Sequence, residues 1–163
     1  MQKQAPVDYI QRTKEQYDDL GYPSYHWVYN PDPPPFKPLE KPLAECKLAL
    51  VASGGVYVSG QIAFHFKDDC SYRQIDTETP TSALRATHFA YDLTDARADP
   101  NVVFPLDTLK KCVKDGLLGE LSNPAYTFMG GIYSARKVRD ILAPALADAL
   151  EKDEVDVALM VPV

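Results

Sequence analysis

Val155-Asp156-Val157-Ala158-Leu159-Met160-Val161-Pro162-Val163 is the stretch that decides the fold of this 163-residue chain. Asp156 is its single charged residue, and the apolar run around it is typical of a strand buried on both faces of a parallel sheet. In open α/β sheets the ligand crevice lies beyond the carboxyl ends of the strands. We therefore expect an α/β fold in which the chain ends where a catalytic loop would normally begin.

The remaining strands are predicted from shorter apolar runs. The first is the run Lys47–Ser53, which is apolar throughout its middle. The second is Leu84–Phe89, where Leu84, Ala86 and His88 alternate with Arg85, Thr87 and Phe89. Two further strand-like runs end in turn residues, Asn101–Asp107 and Ala125–Tyr133.

Two helices are predicted between these strands. Asp107–Lys114 has an apolar face, with Asp107 as its N-cap, and Ser134–Lys152 is the longest periodic stretch. Pro144 lies inside the second helix and should kink it or break it into two pieces. Strand, helix and strand in this order predict a three-layer, Rossmann-like, mostly parallel sheet with right-handed crossovers.

The part before residue 47 has a different character. Pro6–Leu20 reads as a helix stopped by Gly21, and Tyr22–Pro42 is dense in proline and aromatic residues, which predicts an extended arm. The arm either lies on its own domain or clasps another subunit. We divide the chain into a helix and arm, residues 1–46, and an α/β domain, residues 47–163, that we expect to be incomplete at its C-terminus.

Composition excludes several functions. A net charge of −6 argues against a nucleic-acid-binding surface. The apolar runs are too short for a membrane span, and the N-terminus lacks the apolar stretch of a signal peptide, so a cytoplasmic location is expected. The three cysteines form neither a CxxC pair nor a zinc-finger spacing, which favours reduced thiols.

Two glycine turns follow predicted strands and allow the backbone to approach a ligand closely. They are Ser53-Gly54-Gly55 and Gly130-Gly131. Because a predicted helix opens at Ser134, its free N–H groups make the second turn the preferred cradle for a carboxylate or phosphate.

Polar side chains near these turns supply candidate chemistry. His88 can act as general base or acid with Asp92 or Asp95 orienting it, or it can be a buried histidine with a structural role. Tyr72 and Arg73 belong to either a substrate loop, with Arg73 binding a carboxylate through two hydrogen bonds, or a plain surface loop. His65 lacks an HxH or HExxH spacing with His88, so we expect no metal site.

Several stretches together resemble the selenoprotein B family of glycine, sarcosine and betaine reductases, which includes the related subunit of D-proline reductase. Their order and spacing are more specific than any one of them. The matching stretches are Leu50–Val56, Ser71–Arg73, His88–Asp95, Asn101–Asp107, Tyr126–Gly130 and Val155–Val163.

The resemblance implies reductive cleavage of a carbon–nitrogen bond in glycine, betaine, sarcosine, proline or a related amine, with a dithiol as donor. A selenocysteine or cysteine attacks the carbon that bears the amine. A pyruvoyl group on a partner subunit activates that amine, and this chain itself is expected to hold no cofactor. The other subunits of such a complex are the implied partners, in a hetero- or homo-oligomer.

The family's selenocysteine or cysteine lies just past the segment that Val155–Val163 matches. We expect an in-frame UGA codon after Val163, and no activity from the chain alone. None of Cys46, Cys70 and Cys112 stands at the matching position.

Two other readings stay open. The chain can be a non-catalytic α/β binding or assembly module whose proline-rich arm docks a partner, or a small hydrolase or lyase built on His88 and Asp92. A last strand without a following helix leaves apolar surface uncovered, so the isolated chain is expected to be marginally stable or self-associating.

Overall fold

The run Lys47–Ala52 forms the central strand of a mixed, mostly parallel sheet. The computed structural model describes residues 8–23 and 28–163, and the chain divides into two units, residues 1–36 and 37–163. Seven strands lie in the described residues of the second unit: β1 (Lys47–Ala52), β2 (Val56–Val58), β3 (Tyr72–Ile75), β4 (Leu84–Ala86), β5 (Glu120–Leu121), β6 (Ala125–Phe128) and β7 (Val157–Val161).

β1 is hydrogen-bonded on both sides. Along one side it runs parallel to β7, with Leu48 opposite Val157 and Ala52 opposite Val161. Along the other it runs parallel to β5 near its start and to β6 near its end. β3 is antiparallel to β6 and completes the sheet. The predicted α/β class is therefore confirmed, whereas the three-layer Rossmann-like order and the extended arm remain predictions.

The core is divided by the alternation of β1. Leu48, Leu50 and Ala52 belong to a large apolar cluster, and Val51 belongs to a second one with Tyr126. Successive side chains of a strand point to opposite faces, so β1 contributes to both clusters. Burying a leucine such as Leu50 contributes about 1.5–3 kcal/mol.

The helices of this unit supply the other walls of the two clusters. α2 (Thr94–Ala98) and α3 (Leu106–Lys114) contribute Ala96, Leu106 and Leu109 to the large cluster. The helical stretch after β6 consists of α4 (Ala135–Lys137), a π-helical turn (Val138–Leu142) and α5 (Ala143–Lys152).

Pro144 explains the interruption of that last stretch. It has no N–H to donate and lies in the first turn of α5. The π-helical turn lies immediately before α5, and the Ala143 N–H donates to the carbonyl of Val138, five residues back. The predicted break is thus present as a local change of helix type.

The described part of the first unit contains one helix, α1 (Tyr9–Asp19). Asp8 is its N-cap, and its carboxylate accepts a hydrogen bond of 2.9 Å from the Gln11 N–H. Residues 6 and 7 of the predicted helix, and residues 24–27 of the predicted arm, lie outside the described residues. From residue 28 to residue 42 the backbone forms neither helix nor strand.

Four expectations were wrong. β7 is parallel as expected but not buried, since Met160 is 56% exposed at the sheet edge. The strand predicted over Leu84–Phe89 ends at Ala86, where its pairing with β2 stops. The run Asn101–Asp107 is no strand, because it holds the end of a 3-10 turn and the start of α3, whose N-cap is Pro105 rather than Asp107.

Helices in the described ranges are all too short or too polar to cross a bilayer.

Candidate functional site

The two predicted glycine turns lie side by side where β1 and β6 end. The Gly130 N–H donates to the Ser53 carbonyl over 2.8 Å, and the Gly55 N–H donates to the Phe128 carbonyl over 3.0 Å. These two bonds form a separate antiparallel bridge between Gly54 and Met129, just beyond the paired strands. The carboxyl ends of the parallel strands thus form one continuous edge, where ligands bind in open α/β sheets.

Ser53 also joins the end of β7 to this edge. Its hydroxyl accepts a hydrogen bond of 3.0 Å from the Val163 N–H and donates to the Val161 carbonyl at 3.4 Å. The Ser53 N–H donates to the same carbonyl at 3.0 Å. Ser53 therefore links the ends of β1, β6 and β7. Its hydroxyl is hydrogen-bonded to backbone groups at the end of β7.

Gly55 allows the segment after β4 to approach the edge. Its φ of +66° is in the left-handed region, and a Cβ at this position would lie 2.0 Å from the Thr87 carbonyl oxygen. The Thr87 N–H donates to the Gly55 carbonyl over 3.0 Å, and the Tyr91 hydroxyl donates to the Gly54 carbonyl over 2.8 Å. The polar stretch predicted to carry chemistry is thereby fixed to the first glycine turn.

Gly131 has a second close contact at the other turn. A Cβ there would lie 2.4 Å from the ring of Phe89, so a larger residue would displace this ring from its present position. Phe89 in turn stacks on Tyr133, with ring centroids 6.2 Å apart. An aromatic pair, partly exposed, therefore covers the glycine turn.

His88 is buried beside these rings, with 8% of its surface exposed. Its Nδ1 accepts a hydrogen bond of 3.0 Å from the Ala90 N–H, which places the ring proton on Nε2. Nε2 is buried and has no partner among the described residues. Burial lowers the pKa of His88, so the imidazole is neutral at pH 7 and offers an N–H donor.

Asp92 lies four residues further on and makes a separate local turn. Its Oδ1 accepts hydrogen bonds from the Thr94 N–H at 2.9 Å and the Thr94 hydroxyl at 2.7 Å. These bonds lower the pKa of the Asp92 carboxyl. The ring of His88 is oriented by the Ala90 N–H, and the orienting role of Asp92 stays a prediction.

Tyr72 reaches the same edge, because β3 runs antiparallel and starts where β6 ends. Tyr72 pairs with Phe128, and its ring packs edge-on against Tyr126 at 5.8 Å between centroids. Its neighbour Arg73 projects to the other face of the sheet.

Arg73 is held by the loop that precedes its strand. Its Nε donates to the Ile62 carbonyl at 2.8 Å, and one Nη donates to the Ser71 hydroxyl at 2.8 Å. The guanidinium also stacks over Phe64, 4.4 Å from the ring centroid. These contacts use Nε and one Nη of the guanidinium group that was expected to bind a carboxylate.

Asp68 is a residue that the sequence reasoning did not place at this edge. Its Oδ1 accepts hydrogen bonds from the Tyr133 N–H at 2.8 Å and the Ser134 N–H at 3.2 Å. These N–H groups belong to the turn predicted to cradle an external anion, and an internal carboxylate occupies them. The contact spans 65 positions, and no local pattern in the sequence announces it.

No cluster of three or more metal-ligating side chains was found in residues 8–23 and 28–163. His65, one of the residues considered for a metal, uses Nδ1 to accept a hydrogen bond of 3.1 Å from the Lys67 N–H.

Comparisons with known proteins agree on one family. The family model described as glycine/sarcosine/betaine reductase selenoprotein B matches residues 30–162. The chain is 29% identical over 140 residues to the D-proline reductase subunit gamma of Acetoanaerobium sticklandii, with 86% of this chain and 58% of that protein covered. It is 31% identical over 156 residues to the glycine reductase complex component B subunit gamma of Symbiobacterium thermophilum, with 93% and 35% covered.

The chain thus spans somewhat more than half of the first relative and about a third of the second. No solved structure matches it.

Proposed function

Because this chain belongs to the glycine/sarcosine/betaine reductase selenoprotein B family, we propose that it is a subunit, or part of a subunit, of an amino-acid reductase complex. Both relatives are named as gamma subunits of reductases, one acting on D-proline and one on glycine. The observation that carries the proposal is the family match over residues 30–162, which includes both glycine turns and the polar stretch attached to them.

The proposed reaction is the reductive cleavage of a carbon–nitrogen bond in a small amine or amino acid. The C–N bond breaks, the nitrogen leaves as an amine, and the carbon takes up hydrogen. The two electrons come from a dithiol, which becomes a disulfide. The proposed partners are the other subunits of the complex, one of which carries the carbonyl group that activates the amine.

Within this chain, we assign substrate contact to the carboxyl edge. Ser53 and Gly130 line a cavity of about 320 Å³ at the strand ends, where a small substrate would lie. His88 supports this assignment because its Nε2–H is a buried donor without a partner among the described residues. In this role His88 donates a hydrogen bond to the substrate.

The nucleophile is a separate part of the proposal. Cys46 is fully buried before the start of β1, at the opposite end of the strand from the glycine turn, and Cys112 lies on α3. Cys70 is half-buried and packs against the cluster that contains Val51. We therefore assign the nucleophile to none of these three cysteines.

Co-expression with the remaining subunits of a D-proline or glycine reductase complex tests the subunit assignment. Native mass spectrometry is expected to find the chain in a heteromeric complex of fixed stoichiometry. A chain that purifies without any reductase subunit under the same conditions would contradict the proposal.

The assembly-module reading is favoured by one observation. Tyr29 and Phe36 lie in the proline-rich segment and are 84% and 85% exposed, which is unusual for aromatic side chains. The double variant Tyr29→Ser/Phe36→Ser is expected to weaken subunit association. An unchanged association constant would remove the segment's supposed role.

A further inference from the structure

A cavity of about 410 Å³ lies between the small sheet formed by β2 and β4 and the helix α2. Tyr57 of β2 is directly opposite Arg85 of β4, so their side chains share one face of that sheet. Thr87 continues the same face two residues later, and Arg97 enters from α2. We call this the two-arginine cavity.

Both arginines in the two-arginine cavity lack a carboxylate partner in the described part of the chain. Every ion pair found there within 4 Å joins other residues. The chain has 23 acidic residues against 17 Lys and Arg, so acids are available but are placed elsewhere. Asp92 is the acid on which Arg97 acts electrostatically, and its Oδ1 is already held by Thr94.

The Arg85 guanidinium is fixed in place without being neutralised. One Nη donates to two backbone carbonyls, those of Ser82 at 2.9 Å and Leu84 at 2.7 Å. Neutral carbonyls orient the group but leave its positive charge in place. A guanidinium held in this way is pre-organised for an anion, because little side-chain freedom remains to be lost on binding.

Hydroxyl groups and apolar side chains complete the cavity. The Thr87 hydroxyl donates to the Tyr57 hydroxyl oxygen at 3.3 Å, which leaves the Tyr57 proton free to donate to a ligand. Leu84, Ala86 and Ala96 supply apolar surface. A volume of about 410 Å³ lies within the usual range for small-molecule sites.

We propose that the two-arginine cavity binds the carboxylate of a small organic molecule, and that in this chain the molecule is an amino acid. Planar guanidinium groups match a carboxylate through paired N–H donors. The choice of an amino acid rests on the proposed reductase function, whereas the anion site itself rests on the cavity. The residues assigned substrate contact at the carboxyl edge do not line this cavity, so it is a second site beside that edge.

Titration of the full chain with D-proline and with glycine, followed by amide NMR, tests this proposal. The amide signals of Thr87 and Arg97 are expected to shift in a saturable way. Pyrrolidine, which is D-proline without its carboxylate, is expected to leave them unchanged. Arg85→Gln and Arg97→Gln are each expected to weaken binding by about tenfold or more, as for lost hydrogen bonds to a charged group.

Arg139→Gln is the matched control. Arg139 is exposed, is paired with Asp140 at 2.7 Å and lies outside the cavity, so this variant removes the same charge without touching the site. Its binding constant is expected to equal that of the unmodified chain. A dispersed amide spectrum for each variant shows that it is folded.

Three results would overturn the inference. They are no saturable shift with either amino acid, equal binding of D-proline and pyrrolidine, and unchanged binding in both cavity variants. Saturable shifts with inorganic phosphate but not with the amino acids would also contradict the carboxylate assignment. If the chain binds the carboxylate but joins no reductase complex, the assignment of this cavity is supported and the proposed function is contradicted.

Discussion

β1 and β7 are neighbours with similar sequences and different surroundings. Both are apolar, and they pair in parallel over five residues. Every residue of β1 after Lys47 is buried, whereas no residue of β7 is. The difference lies in what adjoins each strand, since β1 is paired on both sides and β7 on one.

An apolar run in the sequence indicates that a strand tends to be buried. Whether the strand is buried depends on the elements that pack beside it. A flat, uncharged edge strand is a template for pairing with another chain. In β7, Leu159 is 37% exposed and Met160 is 56% exposed. The expected self-association of the isolated chain follows from these side chains.

The largest expected effect separates the two strands at one register position. Leu50 and Leu159 are direct partners, and Leu50 has no exposed surface. Leu50→Ala is expected to lower the free energy of unfolding by about 2–5 kcal/mol, because it removes buried methyl groups and leaves a cavity. Leu159→Ala is expected to cost less than about 1 kcal/mol, as for a partly exposed position. If urea unfolding shows equal losses of unfolding free energy for the two variants, the proposed difference between β1 and β7 is wrong.

The turn that follows β1 gives the next effect. Gly55→Ala places a Cβ against the Thr87 carbonyl in a left-handed conformation, so a loss of about 2 kcal/mol or more is expected. Gly60 also has positive φ but nothing within 4 Å of a Cβ, so Gly60→Ala isolates the backbone strain alone. If thermal unfolding shows the same loss for both variants, the close approach of Thr87 to Gly55 does not matter.

Acid sensitivity is expected from His88, which packs against the turn after β1. Its pKa is lowered in the folded chain because burial disfavours the charged ring. The stability gained from the neutral form is therefore present above about pH 6.5 and is lost as the pH falls through the folded value. His88→Gln is expected to reduce this loss between pH 7 and pH 5. His65→Gln, at an exposed position, is the control and should keep the pH dependence.

The smallest effect on stability is expected on β7 itself. Met160→Lys introduces a charge at an exposed edge position, so the free energy of unfolding should change by less than about 0.5 kcal/mol. Its self-association, measured by sedimentation velocity, should fall because charged edges resist pairing. Leu117→Lys changes an exposed residue outside β7 and is expected to leave association unchanged. A similar decrease in both variants would show that β7 is not the associating surface.

The positions of the strands were predicted more accurately than the elements that pack beside each strand. β1 and β6 were found from their apolar runs, and the parallel course of β7 was also expected. The run Asn101–Asp107 was misassigned, because apolar residues before a helix resemble a short strand until Pro105 is seen as the N-cap. The exposure of β7 depends on elements that lie beside it, and periodicity within the strand does not report them.

In the candidate site, too, the local turns were predicted and the contacts between distant residues were not. The glycine turns were predicted, and their adjacency followed from strands that end at one edge. The carboxylate of Asp68 on the Tyr133 and Ser134 N–H groups, and the loop contacts of Arg73, join residues that no local pattern connects. Arg85 was not singled out, because an alternating strand offers no sign that its charge lacks an acid partner.

Amide hydrogen exchange on the full chain tests the contrast between β1 and β7 most directly. We predict slow exchange for Leu48–Ala52, the buried residues of the strand that is paired on both sides. The prediction for part of Val157–Val161 is much faster exchange, since one side of that strand faces solvent. Equal protection of the two strands in the monomeric chain would contradict it.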